Sequence, residues 1–146
     1  MTAAEILDVQ DRFVKTAVLA AEAGFDGIEL HGAHGYLLSQ FLTAKTNQRT
    51  DEYGGSPAAR AKIVVDIIKA IREAVPPSFS VGVKFNSVDH QSLTALEECL
   101  EQLHLITRAG IDFLEISGGS YEEPIVRPYK SRFQFLLTNQ TGDSGS

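Results

Sequence analysis

Twice in this chain an apolar helical pattern ends on a glycine and a strand follows almost at once, and that joint constrains the fold most. Ala23-Gly-Phe-Asp-Gly-Ile-Glu-Leu-His-Gly32 and Ala109-Gly-Ile-Asp-Phe-Leu-Glu-Ile-Ser-Gly118 agree at the alanine, the first glycine, the aspartate, the glutamate and the last glycine. In each, the first glycine suits the left-handed conformation that ends a helix. The apolar run after it suits a buried strand. Common joint residues used twice and an internal duplication explain the match equally well. Either way, one helix–strand unit recurs.

The remaining sequence extends the rhythm. Thr2-Ala-Ala-Glu5 reads as a capping box, and Ile6, Val9, Phe13, Ala17 and Ala20 recur behind it at helical spacing up to Gly24. Phe25 to Leu30 reads as the first strand. Ser56-Pro57 opens a second helix, a capping hydroxyl followed by a proline whose missing N–H costs nothing there. Ile63, Val64, Ile67, Ile68 and Ile71 form its apolar face, Pro76-Pro77 ends it, and Phe79 to Phe85 is the second strand. Ser92 opens a third helix with Leu96, Leu100, Leu103 and Ile106 on one side; Gly110 caps it before a strand over Ile111 to Ile116. The order α-β-α-β-α-β predicts an α/β fold of about three parallel strands joined by crossover helices.

Two stretches break the pattern. The connection from Gly35 to Gly55 is far longer than the usual two to six or so residues. From Tyr121 to Ser146 the chain carries Pro124, Pro128, a basic-aromatic patch (Arg127, Tyr129, Lys130, Arg132, Phe133, Phe135) and a polar end. This tail is expected to be irregular, with its last residues disordered.

With 146 residues, the chain suffices for one ordinary domain. A net charge of −6 gives no footprint for nucleic acid or an anionic membrane. No run approaches the ~18 apolar residues of a membrane span, and the N-terminus has no signal-like core. The single cysteine, Cys99, falls in an apolar helical pattern and is expected to be a small buried hydrophobe. The glycosylation-type triplet Asn139-Gln-Thr141 means little without a secretory signal. A reducing, cytoplasmic location is the expectation.

Ligands of α/β folds gather at the C-terminal ends of parallel strands. His31 stands at that end of the first strand, and His34 and Tyr36 open the long loop after it. Three readings compete. Two histidines three apart could share a cation, but zinc usually wants a third protein ligand, and Glu29 and Asp51 are only guesses for it. The pair could be structural, satisfied by neighbouring carbonyls. Or imidazole N–H groups could grip a substrate oxygen on which negative charge develops, with a phenol nearby to deliver a proton.

Residues 23–42, Ala-Gly-Phe-Asp-Gly-Ile-Glu-Leu-His-Gly-Ala-His-Gly-Tyr-Leu-Leu-Ser-Gln-Phe-Leu, are followed by Thr46-Asn-Gln-Arg-Thr-Asp-Glu-Tyr-Gly-Gly-Ser56. Together they resemble the old yellow enzyme family of FMN-dependent ene-reductases. Arg60 also fits, and the likeness continues more loosely through Val81-Gly-Val-Lys84 and Phe113-Leu-Glu-Ile-Ser-Gly-Gly119, covering roughly residues 4 to 123. The resemblance implies that His31 and His34 bind the carbonyl or nitro oxygen of a small enone-type substrate, and that Tyr36 protonates the carbon alpha to that group. Hydride would come from N5 of FMN, itself reduced by NAD(P)H. Lys84 falls where the family keeps a basic residue beside the flavin N1–C2=O edge. Many members have arginine there, and lysine keeps the charge without the planar fork.

The family fold is an eight-stranded (β/α) barrel of about 250 residues. The resemblance makes this chain a partial TIM barrel, strands four to six, over residues 1–120. It lacks the strands that pack on the flavin and those that bind its phosphate, so a truncated product or incomplete gene model is expected. Stand-alone activity is doubtful on this reading, and an inactive or partner-dependent binding fragment is the alternative. Open sheet edges are sites for self-association or for a partner chain.

Overall fold

The computed structural model describes residues 1–86, 93–118 and 134–136. Helix α1 (Ala3–Glu22) leads into strand β1 (Gly27–Gly32), and a short helix α2 (Leu37–Leu42) follows. Then come α3 (Pro57–Ala74), β2 (Ser80–Asn86), α4 (Leu93–Arg108), β3 (Phe113–Ser117) and β4 (Gln134–Leu136). β1, β2 and β3 are parallel neighbours in that order, and β4 pairs antiparallel with β3. The expected three parallel strands with intervening helices are present. Among the described residues the sheet is open, running from β1 to β4.

Local chemistry sets the helix limits. At α1 the Thr2 N–H donates to Glu5 Oε2 at 2.6 Å, and the Glu5 N–H donates to Thr2 Oγ1 at 3.2 Å, the capping box read from sequence. At α3 the Ala59 N–H donates to Ser56 Oγ, with Pro57 in the first turn. Gly24 (φ 86°) and Gly110 (φ 105°) both adopt the left-handed conformation just past a helix end. The recurring joint is thus the same structure twice.

The strands begin later than the sequence suggested. The turn out of α1 takes up Phe25 and Asp26, and Phe25 is exposed. Asp26 O accepts from Ser80 N, and Asp112 N donates to Val81 O, so each joint is pinned to β2 before its ladder starts. Asp112 also accepts from Val81 N, and Arg72 ties that carboxylate to the Gly110 and Phe79 carbonyls.

The core lies between the helices and one face of the sheet. Leu30, Val81, Val83, Phe85 and Leu114 point into it, as do Ile63, Val64, Ile67, Ile68 and Ile71 of α3, which are fully buried as expected. α4 departs from the expectation. Its buried residues include Cys99, Gln102 and Ile106, whereas Leu96 and Leu100 are exposed. Gln102 earns its burial by donating its amide to the Leu42 and Pro57 carbonyls, which pulls that face of the helix inward.

The connection after β1 is built rather than loose. α2 buries Leu38, Ser39, Phe41 and Leu42. Asn47 donates from its buried amide to the Phe41 and Tyr53 carbonyls, and Asp51 Oδ1 accepts from Arg49 Nε and Tyr53 N. Arg60, only 4% exposed, reaches from α3 to the Leu42 and Gly55 carbonyls and to Glu98 of α4. The tail expected to be irregular, its aromatic patch and the Asn139 triplet lie outside the described residues, apart from β4.

Candidate functional site

Side chains alternate along a strand, so the face opposite the core carries every second residue. In register, Glu29 of β1 stands beside Gly82 of β2 and Phe113 of β3. The next layer is His31, Lys84 and Glu115. At the C-terminal end of the sheet the chain leaves β1 through Ala33, fully buried, and turns at His34 and Gly35, with φ of 62° and 78°. A non-glycine residue rarely adopts that conformation. Here His34 does so, and Gly35 follows it in the same region, so the chain turns sharply at the strand end.

That turn gathers three rings. His31 and His34 lie with ring centroids 5.2 Å apart, nearly edge to face, and His31 and Tyr36 lie 5.0 Å apart. Tyr36 is the N-terminal boundary residue of α2 but makes no side-chain cap, leaving its phenol 54% exposed above the sheet. His34 Nε2 is 2.7 Å from Ser117 Oγ at the end of β3, a bond that sets the ring's plane and commits one of its two nitrogens. Lys84 is on the same face, directly beside His31 in register, and its ammonium is 2.9 Å from Glu115 Oε1. All four residues singled out from sequence are therefore at one end of one face.

The charges there act on one another. His31 has its pKa lowered, first by burial and then by electrostatic repulsion from His34 and Lys84, with Glu115 opposing. That depression favours the neutral imidazole, which has one N–H to donate. Glu29 is pushed up, first by burial and then by repulsion from Glu115, with which it also shares a hydrogen bond. Among the described residues no group of three or more His, Cys, Asp or Glu side chains is placed to hold a metal ion. Asp51, a guessed ligand, is turned to Arg49 and the Tyr53 N–H instead. No helix of the described residues is long and apolar enough to cross a membrane.

Sequence reasoning passed over Ser117 and Glu115 as site residues, and considered Glu29 only as a guessed metal ligand. For the two glutamates a signal existed, since they are the matching acids of the repeated joint. Ser117 had none, because its contact with His34 spans 83 positions.

The family model described as "NADH:flavin oxidoreductase / NADH oxidase family" matches residues 1–143. The NADH-dependent flavin oxidoreductase iliE of Neonectria sp. (strain DH2) is 54% identical over 139 residues, covering 94% of this chain and 18% of that protein. The NADH oxidase of Thermoanaerobacter brockii is 39% identical, covering 92% of this chain and 21% of its own length. Among solved structures, a 2-naphthoyl-CoA reductase in complex with 2-naphthoyl-CoA superposes with a TM-score of 0.78 at 32% identity, over 85% of this chain and 19% of that one. An old yellow enzyme homologue from Zymomonas mobilis shares the fold with a TM-score of 0.74 at 24% identity, over 85% of this chain and 38% of the other. The chain spans 18% to 31% of the length of the first curated relatives it matches. FMN is the family's cofactor, with NADH or NADPH as reductant. The chain belongs to the NADH:flavin oxidoreductase / NADH oxidase family, the old yellow enzyme family.

Proposed function

We propose that this chain carries the substrate grip of an FMN- and NAD(P)H-dependent reductase of activated C=C bonds in carbonyl or nitro compounds. The observation that carries the reading is the cluster of His31, His34 and Tyr36 rings at the strand ends, with centroid separations of 5.0 and 5.2 Å. Addition of hydride to an enone builds enolate charge on the oxygen, and N–H donors fixed at that oxygen lower the barrier. His31, whose pKa is lowered first by burial, offers one such N–H. His34, held at Nε2 by Ser117, offers its other ring nitrogen. The exposed Tyr36 phenol is the acid that returns a proton to the carbon alpha to the activating group.

Lys84 tests the fit to the cofactor. It supplies a positive charge on the face that carries the grip, which is the donor chemistry a reduced flavin's N1–C2=O edge requires. When bound, FMN supplies the hydride, from N5 to the carbon beta to the activating group. The other residues do no redox work; they bind, orient and protonate. A second reading, a binding fragment that acts only when another chain completes the barrel, is favoured by the open sheet and the partial span of the relatives.

The test is a visible spectrum of the purified chain after loading with FMN and gel filtration. Retained yellow colour, with turnover of a cyclic enone by NADH or NADPH, supports the first reading. A protein that ignores FMN until a complementary piece is added supports the second and defeats stand-alone catalysis.

A further inference from the structure

The matching acids of the repeated joint, Glu29 and Glu115, come from strands that flank β2 and meet over it. Gly82, the register partner of Glu29, contributes no side chain, and Glu115 stands one layer on, opposite Lys84. The Phe113 ring takes that space so completely that a Cβ at position 82 would fall 2.1 Å from its Cζ. Next along the face Lys84 meets Glu115 at 2.9 Å, and both side chains are about three-quarters covered, at 23% and 27% exposure. This is not the solvated surface pair that contributes little.

We propose that Glu115 is a positioning residue of the site, its carboxylate anchoring the Lys84 ammonium beside His31 while Glu29 flanks the same carboxylate from β1. The significance for catalysis rests on the reading above, in which Lys84 faces a flavin edge and His31 a substrate oxygen. Lysine is a point charge on a flexible four-carbon stem, and unlike arginine it has no planar fork to fix its direction. A charge that must act on one atom of a ligand therefore needs a second group to hold it, and Glu115 is the group in contact. Such an anchor brings a negative charge under a site where negative charge must grow. Glu29 limits that cost. Burial and the neighbouring Glu115 favour its protonated form, so the two carboxyls together hold a proton more readily than two separate glutamates. The charged and titratable groups facing one another here are Glu29, His31, His34 and Tyr36 from β1 and its loop, Lys84 from β2 and Glu115 from β3.

Neither readout of the test uses flavin. The first is the titration of His31 by NMR at its ring carbon proton, assigned with H31Q. Glu115 is the neighbour that holds the His31 pKa up against burial, His34 and Lys84. Glu115→Gln must therefore lower the His31 midpoint. Mere loosening of the fold would raise it toward the ordinary histidine value, because burial is the first cause of the depression. The second readout is the rate of reductive methylation of Lys84, followed by mass spectrometry. It should rise several-fold in E115Q and stay at the parent rate in E29Q, which removes a carboxylate of the same cluster but not the one in contact. A parent-like or raised His31 midpoint, or an unchanged Lys84 rate in E115Q, would overturn the assignment. Failure of the chain to hold FMN would instead defeat the catalytic reading and leave both shifts in place.

Discussion

Replacing Arg60 by alanine should destabilise the chain more than any change at the exposed rings, and the structure gives the size. The guanidinium is 4% exposed and serves three acceptors: the Leu42 carbonyl at 3.0 Å, the Gly55 carbonyl, and Glu98 at 2.7 Å. These losses are only partial. Leu42 O keeps a donor in Gln102 Nε2 at 2.9 Å, and Glu98, with a side chain 36% exposed, can return to water. Gly55 is itself exposed, so its carbonyl can also turn to water, and the lost hydrogen bonds together cost about 1–1.5 kcal/mol. The buried stem adds about 1–2 kcal/mol of lost packing. Arg60→Ala should thus cost about 2–3 kcal/mol, most of it from the buried stem and the lost hydrogen bonds. Arg60→Lys should cost about half as much, since one ammonium cannot span acceptors on three elements. Urea titration followed by circular dichroism measures both. A double-mutant cycle with Glu98→Gln should return a coupling below about 1 kcal/mol, because Glu98 is partly solvated. An Arg60→Ala cost under about 1 kcal/mol, or a coupling that accounts for the whole loss, would refute this partition.

Cys99 is buried and its pKa is pushed up to about 11 by that burial; it should label slowly with a thiol reagent in the native chain and rapidly in urea, and equal rates would contradict its placement. Glu29 binds its proton more tightly in the folded chain than in the unfolded one, so the stability this gives is present below the ordinary glutamate pKa and lost as pH rises through the raised folded value. Glu29→Gln should therefore gain in melting temperature, relative to the parent, on going from about pH 4 to about pH 7.5; a gain that shrinks over that range would contradict the sign. Gly27→Ala would put a Cβ 2.5 Å from the Ser80 carbonyl oxygen, a backbone atom that cannot swing aside. It should lower the melting temperature through separation of β1 from β2, and an unchanged value would show the strands to be looser than described.

Much of this was legible where the information is local. Thr2 and Glu5, Ser56 and Pro57, and the two joint glycines mark helix ends through contacts within a few residues, and all act as read. His31, His34 and Tyr36 lie close in sequence, so their meeting needed only a turn. The face of α4 was not legible, because Leu96 and Leu100 outweigh Gln102 in apolarity. What buries Gln102 is a pair of carbonyls, of Leu42 and Pro57, from distant segments. The strand starts were displaced because Phe25 is apolar yet spent on an exposed turn. Ser117 on His34 and Glu115 on Lys84 depend on which strands neighbour each other and in what register, which local spacing does not encode.

The central claim is that His31 and His34 form an oxygen grip beside a flavin. The most direct measurement is titration of the FMN-loaded chain with a para-substituted phenol, in the parent and in the His31→Gln, His34→Gln double variant. The account predicts a long-wavelength charge-transfer band in the parent and none in the double variant. A band that survives the double substitution, or its absence from a parent that holds FMN, would contradict it.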